Sequence, residues 1–254
     1  MSKQVNSVAP WCALALLAAC ASFTPQHASK MRDAAAYNTQ LGIDYMSQGD
    51  LQRAKDKLDK ALAQNPDSAD VHGARAALFQ RLGDAGKADA EFRTALRLAP
   101  HDPRIVNNYA VYLCQNGRTD EGVKRFLEVA HNALYPTPEA AYTNAGVCLR
   151  AAKHDDVARA NFMQALQLHP NYAEAAFQLA NLQFEHGELG PARAGIDSFL
   201  GSFGATPDLL LLGVRVARAQ GDRLAAQRYA RRLQLDFPGT DQAHALAALD
   251  NNPG

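Results

Sequence analysis

The feature that most constrains this chain is its self-similarity at a period of 34 residues. A small residue recurs on an apolar face at Gly42, Ala76, Ala110, Gly146, Ala180 and Val214, every 34 residues with one step of 36. Ala54, Ala88, Gly122, Ala158, Ala192 and Ala226 repeat in the same register, and Leu58, Phe92, Phe126, Phe162, Ile196 and Ala230 form a series that is bulky in all but the last copy. Gly49, Gly83, Gly117, Lys153, Gly187 and Gly221 mark an internal turn. Pro66, Pro100, Pro136, Pro170 and Pro238 close the copies, with Gly204 in that place in the fifth. All series shift together at "NALYPTP", so the two extra residues are an insertion between copies rather than an error of register.

A unit of this length, with apolar residues at helical spacing on both sides of a central glycine, is a helix hairpin. Small residues let its two helices approach, and the bulky residue fills the groove between them. One hairpin cannot bury its own apolar face, so the copies must stack. The pattern resembles the tetratricopeptide repeat over nearly the whole chain beyond its leader. The resemblance implies an all-α fold: a right-handed superhelix of six repeats (35–68, 69–102, 103–138, 139–172, 173–206 and 207–240) plus a C-terminal capping helix and tail at 241–254. Lys153 stands where a left-handed glycine is expected, so the fourth turn is expected either to carry strain or to use a different loop.

The first nineteen residues read as a signal peptide: one cation, Lys3, then a short apolar run. Leu17-Ala18-Ala19-Cys20 resembles a bacterial lipobox, which implies cleavage before Cys20 and its lipidation. The alternative is a plain signal with a coincidental cysteine. Ala21 after the cysteine, by resemblance to lipoprotein sorting rules, implies an outer-membrane anchor facing the periplasm. Residues 20–34 are expected to be the lipidated cysteine and a tether without helical periodicity.

With Cys20 lipidated and Cys12 removed, Cys114 and Cys148 remain in an oxidising compartment. Both fall late in the first helix of consecutive repeats. Packed helix axes lie roughly 8–10 Å apart, which brings facing Cα atoms into disulfide range. A Cys114–Cys148 bridge is expected, the alternative being two buried free thiols.

Chemistry is not legible. The eight histidines never pair at metal-ligand spacing, "GDAGKAD" lacks full phosphate-loop spacing, and no serine lies in a nucleophile elbow. Twenty-six basic and 26 acidic residues leave no basic footprint for nucleic acid. The chain is expected to be a non-enzymatic monomer without cofactor or metal.

A repeat array binds through the exposed face of its first helices. That face is expected to present Thr39, Ile43 and Met46 in repeat one; Asn107, Val111 and Gln115 in repeat three; Thr143 and Val147 in repeat four; and Phe177, Asn181 and Phe184 in repeat five. Inter-repeat packing is the competing role for Ile43, Val111, Val147 and Phe177, as is bonding between first helices for Asn107, Asn108 and Asn144. Finally, "NNYAVYLCQNGR" and "AAYTNAGVCLRAA", with the lipobox and six repeats, resemble the type IV pilus biogenesis and stability lipoproteins of the PilW/PilF family. That resemblance implies a pilotin: a partner of the type IV pilus secretin subunit that promotes its outer-membrane localisation and multimerisation. The alternative for a repeat lipoprotein is activation or recruitment of a periplasmic cell-wall enzyme.

Overall fold

The structure is a computed structural model and describes residues 25–133 and 135–251. The signal peptide, Cys20 and the last three residues lie outside this range. Thirteen helices and no strand occur among the described residues. They form two compact units, divided after Leu98.

The first unit holds α1 (Pro25–Ser47), α2 (Leu51–Gln64), α3 (Ala69–Arg81) and α4 (Ala85–Leu98). Each hairpin packs on itself, and α3 packs back on both α1 and α2. The second unit holds α5 (Pro103–Gln115), α6 (Thr119–Ala130), α7 (Pro138–Ala151), α8 (Asp155–Leu168), α9 (Ala173–Glu185), α10 (Leu189–Ser202), α11 (Pro207–Ala219), α12 (Arg223–Asp236) and α13 (Asp241–Asn251). Within it each hairpin packs on the next, and first helices pack on first helices. α13 lies on α11 and α12 and adds the fully buried Leu246 to their core, closing the end of the stack.

The helix bounds follow local chemistry. Asp50, Ser68, Asp102, Thr206 and Asp222 each accept a hydrogen bond from a backbone N–H in the first helical turn. Pro103, Pro138 and Pro207 open α5, α7 and α11, where the missing N–H costs nothing. The first helix of a hairpin ends in a left-handed residue. In repeat three the Gly117 N–H donates to the Cys114 carbonyl and the Arg118 N–H to that of Leu113. Lys153 takes the same conformation, φ 65°, and is the one non-glycine among the described residues to do so. Its turn keeps the same hydrogen bonds, Lys153 N–H to Arg150 and His154 N–H to Leu149. The fourth turn is therefore strained rather than rebuilt.

The small and bulky series meet as expected. A Cβ on Gly42 would fall 2.6 Å from Leu58, and one on Gly146 would fall 2.4 Å from the Phe162 ring. Repeat six departs by one residue. The groove there is filled by Tyr229, not Ala230, and the small residue under the ring is Gly213, 3.0 Å from it at an added Cβ. Tyr229 donates to Asp197 and lies under the Arg193 guanidinium, 5.0 Å away. Burial first, then the bond to Asp197, pushes its phenol above the ordinary value.

The segment read as a tether is helical from Pro25 onward. Residues 26–33 have little apolar face and stay mostly exposed. They continue a helix anchored further along by buried Ala35, Asn38 and Thr39, and Ala28, Lys30, Met31 and Arg32 propagate it readily. Apolar periodicity reports burial, so an exposed helical extension escapes it.

In the first unit Arg75 is buried beside Glu91, its Nε donating at 2.8 Å, and also pairs with Asp59. His72 sits between Glu91, at 2.5 Å, and the Pro66 carbonyl, at 2.8 Å. This network ties α2, α3, α4 and the turn between repeats one and two. Burial opposes ionisation of Asp59, but hydrogen bonds and charge from Lys55 and Arg75 prevail and hold its carboxyl below the ordinary range.

Candidate partner-binding face

The first helices α5, α7, α9 and α11 of the second unit line one face. Each is flanked by its own hairpin partner and by neighbouring first helices, so the free strip on each is narrow. Thr39, Met46 and Thr143 do not reach it, contrary to expectation. Thr39 Oγ1 and Thr143 Oγ1 donate at 2.8 Å to the carbonyls of Ala35 and Glu139 and are buried. Met46 packs with Leu58, Ala74 and Leu78 inside the first unit. A helix covered on three sides buries positions that a single hairpin would leave open.

Of the other expected residues, Val147 is 40% exposed, Gln115 is exposed and Asn181 is half-buried. Phe177 and Phe184 are partly buried against the core of repeats five and six, and Val111 against the core containing Phe126. Ile43 lies on the first unit and is 41% exposed. Asn107 has an additional role: its Oδ1 accepts from Asn144 Nδ2 at 3.3 Å, joining α5 to α7.

The structure adds residues that a search for apolar rows passes over. Arg150 donates to Gln178 at 2.7 Å and to Glu185 at 2.5 Å, bridging α7 and α9. Asn181 Nδ2 donates to the same Glu185 carboxylate at 3.1 Å. Arg215 of α11 lies 5.0 Å over the Phe184 ring. The face therefore combines aromatic edges, amides and held guanidinium groups, which suits an extended or helical peptide.

Cys114 and Cys148 stand beside it, joined by a disulfide with their Cα atoms 5.6 Å apart. The bridge fastens α5 to α7 next to the Asn107–Asn144 contact. Among the described residues, no group of three or more histidines, cysteines, aspartates and glutamates is placed to hold a metal ion. Separate from the face, a shallow apolar groove of about 350 Å³ runs between α8, α9 and α10.

Stacked helix hairpins of this kind define a tetratricopeptide-repeat protein. The tetratricopeptide repeat profile matches residues 39–103 and 74–137. The type IV pilus assembly protein PilF of Pseudomonas aeruginosa is 35% identical over 85% of this chain and 86% of its own. The solved structure of Pseudomonas aeruginosa PilF has a TM-score of 0.65 at 33% identity, covering 87% of this chain and 99% of its own. That of PilW, a widely conserved type IV pilus biogenesis factor, gives 0.66 at 30% identity over 84% and 98%. A repeat protein of Parabacteroides merdae, 20% identical with a TM-score of 0.62, shares the fold. The chain belongs to the PilF/PilW family of type IV pilus assembly proteins.

Proposed function

We propose that this chain is a pilotin. Lipidated at Cys20 and held in the outer membrane facing the periplasm, it binds the type IV pilus secretin subunit and promotes its localisation and multimerisation. Membership of a pilus assembly family carries the reading, and an open peptide-binding face on the second unit is consistent with it. The lipobox at Leu17–Cys20 supplies the anchor. The proposed attachment is through lipid on that cysteine, several acyl chains giving a firm hold; no helix among the described residues is long and apolar enough to cross a membrane. The protein acts by binding and orienting, with no reaction of its own.

Envelopes from cells lacking the chain, run unboiled and probed for heat- and detergent-resistant secretin multimers, test this. Loss of multimers with monomer still present supports it. Multimers at normal abundance in the outer membrane overturn it and shift attention to a cell-wall enzyme as partner.

A further inference from the structure

α12 buries Ala225, Ala226, Tyr229 and Leu233 in the core of the second unit. Its opposite face carries exposed apolar side chains, as that of α8 does with Val157, Met163 and Leu168 at 53%, 47% and 43%, but to a greater degree. Leu224 and Leu235, 71% and 68% exposed, are the most exposed large apolar side chains among the described residues. Eleven residues separate them, about 16 Å along the helix. Arg228 and Arg231 lie between them on the same line and are exposed. Neither forms a close ion pair with a described carboxylate, although the Ala225 N–H, with help from nearby Arg228, holds the Asp222 carboxyl below the ordinary range.

The other repeats serve as an internal control. The residues in register with Leu224 are Gln52, Gly86, Asp120, Asp156 and Gly190. Those in register with Leu235 are Ala63, Arg97, His131, Gln167 and Gly201. Hairpin packing thus asks for no large apolar side chain at either place. Repeat six also carries six arginines against three aspartates in a chain of zero formal charge.

We infer that the outward face of α12 docks an acidic amphipathic helix of a partner protein. Its carboxylates would be three residues apart, with apolar positions beyond them. Each guanidinium can take a carboxylate in a bidentate pair, and each leucine fills a hollow between partner side chains. A second copy of the chain does not fit. The stripe reads leucine, arginine, arginine, leucine in both directions, so self-pairing sets arginine against arginine. A bilayer fits less well, because the guanidinium groups could snorkel to lipid phosphates but only two leucines would enter hydrocarbon, too little apolar side chain to hold the helix there. This surface lies on a second helix, apart from the first-helix face, and stands whether or not the secretin is the partner there.

The experiment places photoreactive p-benzoylphenylalanine at Gln227 or Gln234, which border the stripe, in the full chain in its own envelope. Mass spectrometry maps the adducts. The expected adduct is a protein segment carrying two carboxylates at helical spacing. Its yield should fall at least tenfold in the R228E/R231E chain and also in the L224S/L235S chain, with thermal melting of both unchanged. Adducts with lipid or with a second copy, a protein adduct that persists in the charge-reversed chain, or no adduct from either position would overturn the inference.

Discussion

Gly122 of α6 sits directly against the sulfur of Cys114: a Cβ built there would fall 2.4 Å from Sγ and 3.0 Å from the Ala110 carbonyl oxygen. The other five copies carry alanine at this place. The missing methyl group is the room the bridge occupies, so glycine and disulfide are one adaptation.

Gly122→Ala should accordingly cost about 1–3 kcal/mol through overpacking. With Cys114 and Cys148 both replaced by alanine, the same substitution should cost markedly less, because part of the obstruction has gone. Urea unfolding of the four chains gives the coupling as a double-mutant cycle. Equal costs in both backgrounds would separate the glycine from the bridge.

Lys153→Gly should stabilise the protein by about 1 kcal/mol, since a left-handed backbone costs a side-chain-bearing residue about 1–2 kcal/mol and glycine gives part of that back in the unfolded chain. A rise in the urea midpoint with an unchanged slope is the expected reading. A fall would mean that the lysine side chain holds the turn.

Arg75→Met should destabilise by about 2–3 kcal/mol at neutral pH, leaving the partly buried Glu91 carboxylate with His72 but without its guanidinium. The same change should flatten the response to acid. The Asp59 carboxyl is held below its ordinary range, so its contribution is complete above the unfolded value of about 4 and fades as pH falls through the folded one. The gap in urea midpoint between the native and Arg75→Met chains should narrow from pH 7 to pH 3.

Met46 and the open face should separate cleanly in cells. Met46→Ala removes buried side chain and should cost about 2–4 kcal/mol, lowering the amount of the protein itself. Val147→Ser and Asn181→Ala change half-open positions and should leave the amount unchanged while reducing secretin multimers. Immunoblots of chain and secretin from the same envelopes decide it. Normal multimers with both variants would move the binding site elsewhere.

The repeats were legible because each structural need is written six times in one register, so chance variation averages out. Where a need arises once, no period exists to betray it. The shift to Gly213 and Tyr229 in repeat six, the Arg75 network and the Arg215 contact with Phe184 are of this kind. Groove residues were misplaced for a related reason. Periodicity identifies a helix face, but cover by neighbouring first helices decides whether Thr39 or Thr143 meets solvent. The exposed start of α1 left no apolar signature at all.

The lysine at the fourth turn also speaks to how such a chain drifts over generations. In a stack where each hairpin answers only to its neighbours, an unfavourable letter is a local debt. The turn at Lys153 keeps its hydrogen bonds, and Gly117 and Gly187 in the adjacent copies keep theirs. The six copies are therefore free to diverge one at a time, each accumulating its own departures, while the common architecture persists.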